Sequence, residues 1–373
     1  MFVDPEGHAF YSFGMCSVRR NRSKNGRVYL SQKFSNDDNW ANQTNTLLRS
    51  MGVNCLGPWS DHGLLNSQKN KLPYTIMLNL VAGFGNSIHY TKPGGGHVDF
   101  KGNCIPVFHD KFEDFALKKA RAVIGDACKD PYCVGFFSDN ELPFRDDMLN
   151  LYLKLDINDP GNIEARRWMH EREYAPEKAL EPEVQLQFVS HVAIQYFEIC
   201  SRVIKKVAPN HLYLGSRFHG KAKKLVDLLK TAGKYVDVIS VNWYDTWDPR
   251  VKGEFTNMWE IASGKPFLIT EFYAKGADSK MPNRGGAGWV VKTQKDRGLF
   301  FEHFCLGLME HPGCVGFHWF KYMDDDPTEK HKDPAKISNK GLLNHRYEKY
   351  GELHEAMKHF NLRGYSTLEF LSR

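Results

Sequence analysis

Short apolar or β-rich runs alternate along the chain with longer stretches whose apolar residues recur every three or four positions. The runs at 9–18 (AFYSFGMCSV), 53–59 (VNCLGPW), 74–80 (YTIMLNL), 133–139 (CVGFFSD), 211–218 (HLYLGSRF), 236–244 (VDVISVNWY), 266–273 (PFLITEFY) and 314–320 (CVGFHWF) read as eight strands. Helical patterns lie between them: after Asp38, through KFEDFALKKARAVIGDA, EVQLQFVSHVAIQYFEICSRVIKKVAP and KAKKLVDLLKTAG, and from Trp289 to Met309. In the third, Val184, Phe188, Val192, Tyr196, Ile199 and Val203 form one apolar stripe, and Ala208-Pro209 ends it. This alternation predicts βα units and a parallel sheet, an α/β fold in which residues 1–373 form a single (β/α)8 TIM barrel. An open doubly wound sheet would want a glycine fingerprint after its first strand, and no GxGxxG follows here. Gly94–Gly96 and the GAGW stretch around Ala287 read as flexible loops rather than phosphate cradles.

The amino-terminal MFVDPEGHAFYS predicts a small hairpin turned at Asp4-Pro5-Glu6-Gly7, plugging the bottom of the barrel. Long connections follow strands three, four and seven (84–107, 142–182 and 274–290), and such insertions usually shape a cleft.

Composition narrows the partners. With 42% hydrophobic and 25% charged residues, the 373-residue chain has the make-up of a soluble globular protein. A formal charge of +6 is spread among nearly as many acids, so nucleic acid is not an expected partner. No apolar stretch is long enough to span a membrane, and the start lacks the pattern of a signal peptide; the expectation is no membrane partner, with a cytoplasmic or a processed periplasmic form both open. The eight cysteines sit mostly in apolar runs without zinc-like spacing and read as reduced core thiols.

In a barrel the chemistry lies at the carboxyl ends of the strands. Strand four leaves the core at FFSDNELPF, placing Glu141 at its mouth as either a solvated loop carboxylate or half of a catalytic pair. Strand seven carries Glu271 inside ITEFY, where burial is costly unless the carboxylate is paired. Two such glutamates facing across a barrel mouth suit retaining glycoside hydrolysis, which needs carboxyl groups about 5–5.5 Å apart.

FVDPEGHAFYSFGMCSV, FFSDNELPF, LITEFYAKG, and GFHWFKYMDDDP followed by SNKGLLN resemble the catalytic domain of glycoside hydrolase family 50, the β-agarases, within the large clan of (β/α)8 retaining glycosidases. The resemblance covers nearly the whole chain. It implies a β-galactoside substrate, an agar- or porphyran-like red-algal galactan or its oligosaccharides; another β-glycosidase of the clan (β-galactosidase or β-mannan-active) and a silent carbohydrate-binding barrel are the alternatives. A Schiff-base aldolase would want a lysine inside a strand, and the nearest is Lys321. Agarases of this type usually carry a β-sandwich ahead of the barrel; the expectation here is a barrel without one and a weaker hold on long polysaccharide.

The resemblance also implies roles. Glu141 becomes the acid and base, its pKa expected to be raised by Phe137, Phe144 and the negative charge of Glu271. Glu271 becomes the nucleophile, kept ionised by Tyr244 and Arg217. Asn140 contacts the sugar 2-hydroxyl. Trp319 is either the sugar platform at the cleavage subsite or an aromatic closing the barrel top. Trp59, His62, Asn79, His89, Asn242, His318 and Lys321 are further sugar-binding candidates at or just past strand ends. No cofactor or metal is expected: Asp324-Asp325-Asp326 with His331 and Asp333 lacks the glycine and distal glutamate of a calcium loop and reads as a solvated acidic loop.

Overall fold

The structure, a computed structural model, describes residues 1–93, 98–329 and 337–373. The Gly94–Gly96 run, His331 and Asp333 lie outside the described residues. Strands stand at all eight predicted runs: β1 Ser12–Met15, β2 Cys55–Leu56, β3 Tyr74–Met77, β4 Cys133–Phe137, β5 Leu212–Tyr213, β6 Ile239–Asn242, β7 Phe267–Phe272 and β8 Cys314–Trp319. They form one sheet in the order β6-β7-β8-β1-β2-β3-β4-β5. Sequence neighbours are therefore sheet neighbours, the order of a TIM-barrel-like α/β domain. Pairing is parallel, with Gly316 opposite Ser12 and Trp319 opposite Met15 across β8 and β1, and Gly135 opposite Leu212 across β4 and β5. Just past β5, the Phe218 N–H donates to the Ser240 carbonyl at 2.7 Å, and Phe218 bridges Val241 in parallel.

Two compact units make up the chain: Met1–Ile76 with Asn242–Thr256 and Leu268–Arg373, and Met77–Val241 with Asn257–Phe267. The first holds β1, β2, β8 and most of β3 and β7. Its apolar strands are buried on both faces, as parallel strands covered by helices require. Gly14 lets the His318 ring pass: a Cβ there would sit 2.0 Å from the imidazole Cδ2. The predicted hairpin pairs Phe2–Val3 with Ala9–Phe10, and Asp4 Oδ1 accepts the N–H groups of Glu6 and His8 across the turn. The second unit holds β4, β5 and most of β6. Its longest helix, Pro182–Val207, buries the whole predicted stripe from Val184 to Val203 and begins with a proline at the position where the missing N–H costs nothing.

Several boundaries differ from expectation. Trp289–Val291 is not helical: this aromatic and β-branched stretch pairs in parallel with Ala274–Gly276. The helix starts at Gln294, where Thr293 and Asp296 form a capping box. The third strand stops at Met77, and a helix runs Leu80–Ser87 from Asn79 as its cap residue. Every predicted run is longer than its strand. Ser17, Trp59, Asn79, Glu141 and Arg217, past the ends of β1 to β5, have φ of 53°, 62°, 53°, 51° and 51°. That left-handed backbone costs a non-glycine residue about 1–2 kcal/mol, so these five ends are held in shape by their surroundings.

None of the eight cysteines forms a disulfide, and all but Cys128 are buried. Among the described residues no helix is long and apolar enough to cross a membrane.

Candidate active site

In the first unit, β7 places Glu271 in a strand whose six residues are all buried. Its carboxylate is not left bare: Tyr244 Oη donates to Oε2 at 2.5 Å. The same segment after β6 is registered against β7 twice more, by the Trp243 N–H to the Glu271 carbonyl at 2.9 Å and by Thr270 Oγ1 to Asn242 Oδ1 at 2.7 Å. A carboxylate 6% exposed would be costly without such a donor. The phenol fixes the side chain's rotation and gives its charge a partner.

A strip of rings leads away from that pair. Tyr244 meets Tyr273 edge-on with centroids 5.0 Å apart, Tyr273 lies 6.2 Å from Phe320, and Phe320 meets Trp59 at 6.0 Å. Tyr244 and Tyr273 are buried, while Phe320 and Trp59 are half-exposed. The Lys340 ammonium sits 5.1 and 5.7 Å from the centroids of Tyr273 and Phe320, within cation–π range. The GAGW stretch, expected to be a flexible loop, is pinned here: Lys275 Nζ donates to the carbonyls of Gly285 and Gly286, and Ser338 Oγ to that of Gly285. Gly288 has to be glycine, since a Cβ would come within 2.4 Å of the Tyr273 ring.

In the second unit, β4 ends in Ser138-Asp139-Asn140-Glu141. Asp139 is fully buried and ties this turn to the helix Leu80–Ser87, its carboxyl accepting the N–H groups of Val81 and Ala82 at 3.1 and 3.0 Å and the Tyr196 hydroxyl at 2.8 Å. Burial pushes its pKa up to about 7 despite these donors. Arg217, also buried, donates from Nη1 to Asn140 Oδ1 at 2.8 Å and so sets which end of that amide is oxygen. The Glu141 N–H reaches the carbonyls of Ser216 and Arg217, both at 3.3 Å. Its side chain keeps 13% exposure, and His219 Nδ1 lies 3.9 Å from Oε1, beyond direct hydrogen-bond reach.

Several expected sugar contacts take other roles. Trp319 is 1% exposed, its indole N–H donates to the Lys340 carbonyl at 2.9 Å, and it packs on Phe272 and under the Arg297 guanidinium. It closes the core and offers no face to a sugar. His318 and Asn242 are fully buried; the first bonds Ser12 Oγ through Nε2 at 2.8 Å, the second accepts from Thr270. His62 stacks on Tyr74 at 5.3 Å, and burial lowers its pKa. His89 is exposed, but two residues past a helix rather than at a strand mouth. Asn79 keeps its place at the end of β3, half-buried. Lys321 is 6% exposed and paired with Asp325 at 2.5 Å.

The acidic run is not a solvated loop. Asp324 is buried and accepts the N–H groups of Lys340 and Gly341, Asn339 Nδ2 and the Tyr350 hydroxyl. Buried Asp326 accepts from Thr328 and Asn25. Behind them Arg297, lowered to about 10 by burial, ties the carbonyls of Ala274 and Gly341 together. The MDDDP and SNKG stretches thus build the scaffold behind Trp319. Among the described residues, one group has metal-like spacing, Asp4, Glu6 and His8 of the hairpin turn, and it is largely exposed.

Tyr273, Phe320, Lys340, His219 and Asp139 were missed as site-shaping residues. Tyr273 carried a signal, lying two residues past Glu271 on an extended segment and therefore on the same side.

No protein-family model matches the chain. In sequence it is similar to β-agarase B and β-agarase A of Vibrio sp. (strain JT0107), at 24% identity over 358 residues and 25% over 384. Those alignments take in 86% and 91% of this chain but 36% and 37% of the two agarases, so the chain spans little more than a third of the length of the curated relatives it matches. In structure it is similar to BpGH50, with a TM-score of 0.87 and 30% identity over 100% of this chain and 80% of that one. Identity at that level, sustained over so much of both chains, carries ancestry as well as shape: the chain belongs to glycoside hydrolase family 50.

Proposed function

We propose that the protein is a retaining glycoside hydrolase that cleaves β-galactosidic bonds of agar- or porphyran-like galactan or its oligosaccharides, with residues 1–373 working as one catalytic barrel. The observation that carries this reading is the Tyr244–Glu271 hydrogen bond, a buried strand-end carboxylate with a dedicated donor, in a family 50 chain whose relatives include β-agarases. Glu271 attacks the anomeric carbon and forms a glycosyl ester. Glu141 gives its proton to the departing glycosidic oxygen, then takes one from the water that hydrolyses the ester. Its partial exposure and the neighbouring His219 suit a group that must exchange a proton twice per turnover.

Asn140 presents its amide N–H2 to the sugar 2-hydroxyl, because Arg217 occupies the oxygen end. The planar face for the sugar is Phe320 with Trp59, the half-exposed end of the aromatic strip, and no longer Trp319. Mass spectrometry and 1H NMR of products from agar, porphyran, carrageenan, galactan and mannan oligosaccharides test the proposal. Cleavage of an agar-type member with a β-anomer released first is expected; a first-formed α-anomer would make the mechanism inverting, and no cleavage of any member would leave a carbohydrate-binding barrel.

A further inference from the structure

Within the first unit, the ends of β1 and β8 border a cavity of about 380 Å³, with Ser17, Arg19, Lys321, Met323 and Asp325 in its wall. That volume falls in the range of about 300–1,000 Å³ typical of small-molecule sites. Local bonds join it to the aromatic strip: Lys321 follows Phe320 directly, and the Ser17 N–H bonds the carbonyl of Pro58, the residue before Trp59, at 3.0 Å. The wall residues are thus chain or hydrogen-bond neighbours of the segments that carry the Phe320 and Trp59 rings.

The charges of the wall are almost all committed. Lys321 pairs with Asp325, Arg20 with Asp37 and Asp61, and Arg22 with Asp61. Asp324 and Asp326 are consumed by the donors described above, and Glu329 accepts the Lys24 N–H at 3.0 Å. Arg19 is exposed and has no ion pair among the described residues. Arg20, Arg22 and Lys321 stand in the wall with Asp324, Asp325, Asp326 and Glu329, and Arg19 brings it to four charges of each sign; among these cations Arg19 is the one without an ion pair among the described residues.

We propose that this cavity is a subsite for a sugar unit carrying an anionic substituent, a sulfate ester or a carboxylate, and that Arg19 recognises the anion. The planar guanidinium fork matches both oxyanions with paired N–H donors, which a lysine cannot reproduce. The balanced Lys321–Asp325 pair beside it offers hydrogen bonds to ring hydroxyls without opposing the anion. The inference rests on the proposed function and adds to it the charge of the substrate.

The test is kcat/KM of the whole chain, at low and at physiological salt, on three matched agar-type oligosaccharides: neutral, 6-sulfated, and with the same carbon oxidised to a carboxylate. Wild type is expected to favour a charged member about tenfold or more, and Arg19→Ala to erase the preference while leaving the neutral rate unchanged, with Arg19→Lys intermediate. Whichever charged member is favoured identifies the substituent. Equal turnover of all three, unaffected by Arg19→Ala, overturns the subsite and leaves the glycosidase reading intact. If nothing is cleaved, that reading fails instead, and titration of the three oligosaccharides into the wild-type and Arg19→Ala proteins, followed by calorimetry, decides the subsite: tighter binding of a charged member that vanishes in the variant supports it, and equal or absent binding overturns it.

Discussion

Two glutamates at strand ends sit in opposite kinds of surroundings. Glu271 belongs to the ladder of β7, is 6% exposed, and is gripped by a phenol at 2.5 Å. Glu141 lies four residues past β4 in a left-handed turn, with its side chain 13% exposed and an imidazole at 3.9 Å. The first setting fixes a carboxylate in orientation. The second leaves one partly open to solvent. That contrast is what the proposed nucleophile and the proposed acid/base respectively require, and it supports the proposed division of roles between two residues of identical type.

The contrast breaks most visibly by removing either carboxylate. Glu271→Ala should lower kcat on the natural substrate by about 10⁴-fold or more, and added azide should restore turnover with an α-glycosyl azide as product, because the small anion attacks from the vacated face. Glu141→Gln should cost about 10²–10⁴-fold in kcat/KM on oligosaccharides but little in kcat/KM on aryl glycosides whose leaving group needs no proton; unassisted hydrolysis of the ester should then limit kcat, and azide should restore it with the β-glycosyl azide as product. Exchanged azide configurations would reverse the roles.

Next in size is the separation of core from platform. Trp319→Ala should destabilise the fold by about 3–5 kcal/mol, read in urea unfolding, whereas Trp59→Ala should leave the unfolding midpoint in place and raise KM. A stable, KM-defective Trp319 variant would restore that ring as the platform. Tyr244→Phe should drop kcat about 10–100-fold, the worth of a hydrogen bond to a charged group, with KM little changed. An unaltered kcat would remove the phenol from catalysis.

The last test concerns the turn that carries Glu141. Asp139 is raised in the folded state from 3.8 to about 7 by burial, so between these values the folded chain holds a proton that the unfolded chain has released. Its stabilising contribution is complete below about pH 4 and is lost as pH rises towards 7. Relative to Asp139→Asn, wild-type stability should therefore fall with pH across that window by up to about 1.4 kcal/mol per unit, on top of a constant offset from the altered hydrogen bonds. A flat difference between the two proteins would mean that Asp139 does not hold a proton there.

The eight strands, their order and the long helix stripe were legible in the sequence because they rest on local pattern: apolar runs of strand length, a repeat of three or four, and proline or glycine at the ends. The burial of Glu271 was legible too, since a carboxylate inside ITEFY lies within an apolar strand. What the sequence could not rank was which polar or aromatic residue at a strand end faces outward. Trp319 and His318 lie within two positions of half-exposed Phe320, and alternation alone does not say which of two neighbours meets solvent when a strand is buried on both faces. Nor could an acidic triplet disclose that Asp324 and Asp326 are buried acceptors, because their donors come from Asn25, Thr328, Tyr350 and residues 339–341. Local sequence determined the elements and placed candidate carboxylates at their ends. Tertiary structure decided burial, partners and exposure, which depend on residues distant in the chain meeting at one place.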